Sequence, residues 1–402
     1  MTGKQLKSIA NINHWLAGLA LLGLAGPVSA TTYVLPSKGD VIGQVQYTRA
    51  KSSENLLQIA RRYDVGIEAI KVANPGVDPK SPKQGERIVI PSRHILPKGP
   101  REGIVINLAE KRLYHYTRPV MGPPLVSTYP ISLGREGRLS LGKYKITQRV
   151  RKPSWTVPAS ARQANPRLPE IMPSGPDNPL GEYAMTLDLP DCLIHGTNKP
   201  FSIGMNVSRG CVRLYPEDIA VLAHRTLKDS SVRVVNDAFK TGYKHGALYF
   251  EIHKPRSAGN LNLAALVNKV TALVPQQLWR DDWQRVRLTA EQASGVATPV
   301  AQVFPKSKQS RRWMLQLATF KHYSSARKLM LQLEELDMPV TTRGCETGNK
   351  CRVLAGPFTD TDYMKEMSKR IKWITRIKAV TIPYQPEDDV LQKVEQTLAL
   401  AD

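Results

Sequence analysis

Apolar and polar positions alternate with two different periods in residues 44–92. Apolar residues at helical spacing predict two short helices, and strict alternation after Gly85 predicts a strand. The predicted elements are a helix over 54–63 capped by Ser52 or Ser53, a helix over 67–73 that ends at Asn74-Pro75-Gly76, and a strand over 87–91. The order strand, helix, helix, strand indicates a small module at this end of the chain.

Residues 102–254 carry many short runs with a period of two, which predicts strands. The predicted elements are a hairpin of 104–108 with 112–116, strands over 127–133, 142–148 and 183–187, and one helix over 216–227. Loops rich in proline and glycine separate these runs, most clearly over 166–179. This pattern is typical of a mainly β sandwich or barrel, here with one inserted helix.

The last third of the chain predicts a second small module over 312–385. The predicted elements are a strand over 314–319, a helix over 323–336, a hairpin of 339–343 with 350–355, a helix over 361–371 and a strand over 379–383. This βαββαβ order is ferredoxin-like. Between the two larger units, residues 255–311 predict helices over 261–274 and 281–292 and a polar linker over 294–310.

The first thirty residues have the pattern of a secretory signal peptide. Lys4 and Lys7 precede an apolar run over 15–24, and Val28-Ser29-Ala30 is a small-residue cleavage site. We expect the mature chain to begin at Thr31. The alternative, an uncleaved membrane anchor, is disfavoured because the run is shorter than the roughly 20 residues that span a bilayer.

The excess of basic residues indicates what kind of partner the protein binds. Lysine and arginine total 57 against 34 acidic residues, which gives a formal net charge of +23. Such a charge favours anionic surfaces, including those of a cell envelope, and does not by itself indicate nucleic acid. The hydrophobic fraction of 41% is that of a globular protein, which excludes a disordered or multi-spanning chain.

Four cysteines are too few for a disulfide scaffold in a chain of 402 residues. Cys345 and Cys351 flank a short polar loop that can close a hairpin, so we expect them to form a disulfide. Cysteine and histidine nowhere show metal-ligand spacing, and we expect neither a metal nor a cofactor.

Nucleophilic chemistry is indicated by His195-Gly196-Thr197 and, further on, Ser208-Arg209-Gly210-Cys211-Val212-Arg213. A cysteine nucleophile needs a base, which His195 can supply, and donors for an oxyanion. Gly210 leaves the backbone N–H groups beside Cys211 open for that role. Taken alone, the pair could equally be a buried thiol and a structural histidine.

The longer segment "IHGTNKPFSIGMNVSRGCVRLYPEDI" closely resembles the active-site signature of the L,D-transpeptidases, the YkuD-type catalytic domain. The resemblance covers nearly all of residues 102–254. It implies that Cys211 is the nucleophile, His195 the general base and the backbone carbonyl of Gly196 the group that orients the imidazole. It also implies an oxyanion contact at Gly210, with Ser208 and Arg213 completing the substrate site.

The resemblance implies acyl transfer on peptidoglycan. Cys211 would attack the carbonyl of the diamino acid L-centre in a tetrapeptide stem and release D-alanine. An amine of a neighbouring stem or of an envelope lipoprotein would then resolve the thioester. Cys192, three residues before His195, is interpreted as a buried small hydrophobe; a disulfide with Cys211 would inactivate the enzyme.

Two further resemblances extend this hypothesis. Residues 44–92 resemble a LysM module, which binds glycans containing N-acetylglucosamine, and residues 312–385 resemble a SPOR domain, which binds peptidoglycan strands stripped of stems. Together they imply a multidomain protein of the Gram-negative periplasm, at most peripheral to the membrane. An RNA-binding signature is missing, so nucleic acid is not an expected partner.

Two alternatives remain open at the level of sequence. One is an L,D-carboxypeptidase or hydrolase that cuts the same bonds with water as the acceptor. The other is a non-catalytic scaffold that binds the cell wall; it would predict a lost or blocked nucleophile.

Overall fold

The computed structural model describes most of the chain after residue 30. The described residues are 31–134, 139–207, 212–244, 246–254, 268, 270, 280–302, 312–333, 336, 338–345, 350–358 and 361–384. Within these ranges no helix has the length and apolar character needed to cross a membrane.

A ten-stranded sheet forms the largest unit. In spatial order its strands are β1 (Thr31–Val34), β8 (Leu125–Pro130), β7 (Arg112–Thr117), β6 (Ile104–Asn107), β16 (Ser231–Val235), β10 (Gly142–Arg151), β13 (Tyr183–Leu187), β14 (Leu193–His195), β15 (Val212–Arg213) and β9 (Ser132–Leu133). Only Ile131 separates β8 from β9, although they lie at positions two and ten. The sheet therefore curls round on itself, as the mainly β prediction for these residues requires.

The core of this unit lies inside the curled sheet and against helix α4 (Pro216–Arg225). Aliphatic residues of β6, β14 and β16 meet Ile219 and Leu222 of that helix. The predicted single strand over 127–133 was wrong, because Ile131 divides it between β8 and β9. Between β10 and β13 the chain leaves the large sheet and forms β11 (Trp155–Thr156), α3 (Ala159–Ala164) and β12 (Ile171–Met172).

The strand, helix, helix, strand order predicted for residues 44–92 is present as β3 (Gln46–Arg49), α1 (Leu56–Arg62), α2 (Ile67–Ala73) and β4 (Arg87–Ile90), with β3 antiparallel to β4. The predicted cap was wrong. Asn55, not Ser52 or Ser53, caps α1, and it forms a capping box with Gln58. The side chain of Asn55 accepts from the third helical N–H, which starts the helix two residues later than expected.

A third unit joins the two described above. It contains β2 (Val41–Gly43) paired with β5 (Arg93–Ile95), and a three-stranded sheet of β17 (Phe239–Lys244), β18 (Ala247–Ile252) and β19 (Thr298–Gln302) under α5 (Arg280–Gln292). Helix α5 matches the helix predicted over 281–292. The prediction of a linker over 294–310 was wrong for residues 298–302, which form β19 and pair with β18. Val300 and Ala301 of this strand are buried in the core between the three-stranded sheet and α5. The helix predicted over 261–274 lies outside the described residues, apart from residues 268 and 270.

The C-terminal unit has the βαββαβ order predicted for it. Its elements are β20 (Trp313–Phe320), α6 (Tyr323–Leu333), β21 (Val340–Arg343), β22 (Cys351–Phe358), α7 (Thr361–Thr375) and β23 (Val380–Pro383). The sheet order is β21-β22-β20-β23. A disulfide joins Cys345 to Cys351 at the end of the β21–β22 hairpin.

Candidate active site

Strand β14, the eighth strand in the order of the ten-stranded sheet, carries His195 at its end. It runs antiparallel to β13 and parallel to β15, with Ile194 opposite Val212 and His195 opposite Arg213. The backbone N–H of Leu214 also donates to the carbonyl of His195 at 3.0 Å. The sequence motif is thereby folded so that its histidine half and the residues after Cys211 are neighbours.

The imidazole of His195 is held by a hydrogen bond along its own chain. Nδ1 lies 2.7 Å from the carbonyl oxygen of Gly196. A carbonyl can only accept, so Nδ1 carries the proton and Nε2 keeps its lone pair when the ring is neutral. Burial, followed by the charge of Arg213, lowers the pKa of His195 to about 4, so the ring is neutral at pH 7.

The backbone at Gly196 is packed too closely for a side chain. A Cβ there would lie 3.1 Å from Ile219 Cγ2 and 3.2 Å from the carbonyl oxygen of Leu180. Gly181 faces it at a φ of +69°, and a Cβ on Gly181 would lie 2.8 Å from the N of Thr197. These close contacts hold the backbone at Gly196, and therefore the direction of the carbonyl that accepts the hydrogen bond from His195 Nδ1.

Leu133 anchors the chain on both sides of the segment 208–211. Its carbonyl accepts from the N–H of Val207 at 2.8 Å, and its strand β9 pairs it with Val212. The residues that lead into and out of this segment therefore meet at one strand. Ser208, Gly210 and Cys211 themselves lie outside the described residues.

Comparison with known proteins decides the family. The family profile described as YkuD, L,D-transpeptidase catalytic domain, matches residues 101–234. The probable L,D-transpeptidase YcfS of Escherichia coli K12 is 38% identical over 250 residues, 59% of this chain and 77% of its own. The chain belongs to the L,D-transpeptidase family.

A second curated relative and a solved structure are also similar to this chain. The probable L,D-transpeptidase YbiS of Escherichia coli K12 is 38% identical over 251 residues, 60% of this chain and 81% of its own. The structure of L,D-transpeptidase 3 from Mycobacterium tuberculosis with a faropenem-derived adduct is 17% identical with a TM-score of 0.26, over 51% of this chain and 97% of that one. The sequence relatives, together with the matched catalytic domain, establish the enzyme class.

Arg213 supplies positive charge beside the histidine of this transpeptidase. It lies opposite His195 in the register of β14 and β15. Burial lowers the pKa of its guanidinium, and its charge in turn lowers the pKa of His195. A cation in this position can bind a carboxylate of the substrate or stabilise a nearby thiolate.

Cys192 is fully buried in the core of the transpeptidase domain, beside Ile194 and Met185. It was expected to act there as a small hydrophobe. In the structure it is also disulfide-bonded.

Asn178 was missed by the sequence analysis although it holds the loop that faces the histidine. It is 1% exposed, and its Nδ2 donates to the carbonyl oxygens of Pro153 at 2.9 Å and Pro173 at 3.1 Å. Its Oδ1 accepts from the N–H of Leu180 at 2.9 Å, beside Gly196. The cluster Asp177-Asn178-Pro179 carried a turn signal, but turn signals do not reveal a buried amide.

His94, Glu110 and Glu251 form the one group of three among the described residues with the spacing of metal ligands. The ammonium of Lys240 already lies among them, 2.7 Å from Glu110 Oε2 and 3.0 Å from Glu251 Oε1. The carboxylates are thus paired with a side-chain cation, and we interpret the cluster as an ion-pair network away from the transpeptidase site.

Proposed function

We propose that this L,D-transpeptidase is exported to the periplasm and acts on peptidoglycan through Cys211 and His195. The observation that carries the proposal is the 2.7 Å contact between His195 Nδ1 and the Gly196 carbonyl. It supports a role for Nε2 as the base, because it fixes the tautomer without a carboxylate. The parallel pairing of β14 with β15 supports the same proposal, since β15 directly follows Cys211.

The first half of the reaction forms a thioester. Nε2 of His195 accepts the proton of the Cys211 thiol, and the thiolate adds to the carbonyl carbon of the diamino acid at the third position of a tetrapeptide stem. The backbone N–H groups of Gly210 and Cys211 donate to the oxyanion, as in other acyl transfers. The C–N bond then breaks, and D-alanine leaves as its amine takes the proton from His195.

The second half transfers the acyl group to an amine. The neutral acceptor attacks the thioester carbonyl, and His195 removes the proton from the attacking nitrogen. The C–S bond then breaks, and the Cys211 thiolate takes that proton back from His195, which restores the thiol and the neutral imidazole. Ser208 and Arg213 bind the stem during both steps. The proposed acceptor is the side-chain amine of a neighbouring stem or a lysine of an envelope lipoprotein.

Two wall-binding modules are part of the proposal, a LysM module over 44–92 and a SPOR domain over 312–385. The element orders of these residues support it. The full-length Cys211→Ala variant is titrated with N-acetylglucosamine oligomers and, separately, with glycan strands that lack stems. We expect saturable binding of both by calorimetry. If either probe gives no binding heat, the glycan-binding function proposed for the corresponding module would be contradicted.

The catalytic proposal is tested on tetrapeptide-bearing muropeptides, with and without a peptide that ends in lysine. Products are read by mass spectrometry after reduction of the protein. We expect loss of one D-alanine together with a new amide bond, and no product from Cys211→Ala or His195→Asn. The matched control, Cys345→Ala with Cys351→Ala, removes the two cysteines of the C-terminal unit and is expected to keep the activity.

Each outcome of this experiment has one meaning. Ligation to the lysine peptide alone identifies a lipoprotein-type acceptor, and ligation between muropeptides identifies a stem. Loss of D-alanine without ligation would overturn transpeptidation in favour of hydrolysis by the same residues. Unchanged substrate in the reduced wild type would overturn the catalytic proposal and favour the scaffold.

A further inference from the structure

Two carboxyl groups are buried where the N-terminal unit (residues 44–92) meets the catalytic domain. Asp64, which follows α1, is 4% exposed, and Asp218, in the first turn of α4, is fully buried. Within the described part of the chain, no N–H or hydroxyl of another residue donates to Asp64 Oδ1 or to either carboxylate oxygen of Asp218. The two carboxyl groups can hydrogen-bond to each other only while one of them holds a proton. Buried carboxylates without partners are costly unless a cation or a proton compensates them.

The groups around this pair supply too little positive charge for both carboxyl groups to be ionised, so before the leader is removed the pair is compensated by a shared proton. Burial raises the pKa of Asp64 to about 6, with Arg112 opposing the rise, and burial followed by the charge of Asp64 raises the pKa of Asp218 well above its usual range. Glu217 adds a further negative charge, although it is paired with Arg61. The remaining groups that face the pair are the hydroxyls of Tyr33, Tyr129 and Tyr215. Arg112 thus faces two buried carboxyl groups.

One backbone nitrogen already points at the pair. The N–H of Thr31 donates to Asp64 Oδ2 at 3.2 Å. Its position is fixed by the sheet, because Thr31 is registered opposite Thr128 and the hydroxyl of Thr32 lies 2.8 Å from that of Ser127. Thr31 is also the residue at which the sequence predicts the mature chain to begin.

We propose that the α-ammonium group of Thr31, released when residues 1–30 are removed, completes the Asp64–Asp218 pair as its second cation. Hydrolysis of the Ala30–Thr31 bond places a carboxylate on Ala30 and an amine on Thr31. The amine takes a proton near neutral pH, since α-amines have a pKa of about 7.7–8.0. One amide donor becomes three donors with a full charge, beside a carboxylate oxygen to which no N–H or hydroxyl of another described residue donates.

The ion pair would join three parts of the enzyme. Thr31 belongs to the edge strand of the catalytic sheet, Asp64 to the N-terminal unit and Asp218 to the helix that starts soon after Arg213. Next to Asp64, the carbonyl of Val65 accepts from the Tyr215 hydroxyl at 3.3 Å. Removal of the leader would therefore strengthen the contact that holds the N-terminal unit against the active-site segment. The inference rests on the export step of the proposed function.

The test compares two forms of the chain that differ only at the N-terminus. One begins at Thr31 with a free amine, and the other carries Gly-Ser before Thr31. We expect the extended form to have at least a tenfold smaller folding equilibrium constant in urea titrations at pH 7. Asp64→Asn should remove this difference, whereas the exposed control Asp362→Asn should leave it. Equal stability of the two forms, or an unchanged difference in Asp64→Asn, would overturn the proposal.

A second measurement does not depend on refolding. The rate of acetylation of the Thr31 amine is followed against pH in the folded protein and reports the pKa of that amine. We expect this pKa to lie above the ordinary range, and to return to it in Asp64→Asn. A value within or below the ordinary range in the wild type would contradict the ion pair.

Both measurements are made on the Cys211→Ala variant, so they do not require transpeptidase activity. Intact mass of the protein secreted by a Gram-negative host gives the cleavage site. A mature chain that starts elsewhere would overturn this inference and leave the catalytic proposal standing. If the wild-type protein is inactive in the muropeptide assay, the catalytic proposal falls, whereas the proposed ion pair at Thr31 still stands.

Discussion

At the scale of single residues, the decisive feature is a histidine oriented by a carbonyl of the next residue. His195 is 2% exposed, and Nδ1 of its ring lies 2.7 Å from the Gly196 carbonyl oxygen. The sequence predicted the roles of both residues through resemblance, and the fold supplies the reason for the glycine. A side chain at position 196 would press on Ile219 and the Leu180 carbonyl and turn the acceptor away.

The buried neutral state of His195 predicts a pH dependence of stability. In the unfolded chain the ring binds a proton below about pH 6.5, but in the folded chain it does so only below about pH 4. The unfolded state therefore binds more protons between these values, and stability falls as the pH falls through this window, by on the order of 3 kcal/mol.

The measurement is urea unfolding of the wild type and His195→Gln at several values between pH 4 and pH 7. We expect the wild type to lose stability more steeply than the variant over that range. Substitution of the exposed His322 by glutamine serves as the control and should follow the wild type. Parallel curves for wild type and His195→Gln would show that this histidine does not titrate as described.

The disulfide at Cys192 predicts that activity depends on a reductant. Cys345 and Cys351 are bonded to each other. The hypothesis tested here is the Cys192–Cys211 disulfide that was raised from the sequence. We expect wild-type activity to rise several-fold with a dithiol, which reduces the bond and is itself oxidised to a disulfide. Cys192→Ala should be active without it, and Cys345→Ala should still need it. Activity of the untreated wild type equal to that of Cys192→Ala would contradict this.

At the scale of elements, the N-terminal unit meets the catalytic domain through two glycines. The N–H of Ile67 donates to the carbonyl of Ile203 at 3.1 Å, at the start of α2. Gly204, at a φ of +95°, lies against Gly66, and a Cβ on Gly204 would lie 2.6 Å from Gly66 Cα. The contact thus depends on the absence of a side chain and ties α2 to the loop between His195 and Cys211.

Gly204→Ala therefore tests this contact. The new methyl group would meet backbone atoms that cannot rotate away, and the positive φ adds strain, so we expect a loss of about 2 kcal/mol or more. Thermal unfolding gives the stability, and the muropeptide assay gives kcat and KM. Gly76→Ala is the matched control, because Gly76 also has a positive φ but no atom within 4 Å of its Cβ position. Equal losses in the two variants would assign the effect to backbone strain alone.

At the scale of the whole molecule, a buried ion-pair network joins the third unit to the catalytic domain. Lys240 is 1% exposed and donates to Glu110, to the Ile95 carbonyl at 2.7 Å and to the Tyr114 hydroxyl at 3.0 Å. Burial acts to raise the pKa of Glu251, but Lys240 and the neighbouring histidines outweigh it, and the pKa falls well below its usual range.

Lys240→Met should destabilise the protein strongly. The substitution leaves two buried carboxyl groups without their shared cation, which costs about 3–5 kcal/mol in comparable cases. Glu110→Gln in the same chain should recover part of the loss by removing one of the charges. Urea titration measures both, with the exposed Lys365→Met as the control. A Lys240→Met loss no larger than that of Lys365→Met would mean that the network contributes little.

Some features of this protein follow from local sequence patterns, and others depend on tertiary contacts. The periods of apolar residues determined most strands and helices, and the motif from His195 to Arg213 determined the enzyme family, because both depend on neighbours in the chain. The position of Thr31 beside Asp64, the burial of Asn178 and the pairing of β19 with β18 were decided only by the tertiary structure. Each joins residues far apart in sequence, and no local period records which distant partner compensates a buried charge or covers a strand edge.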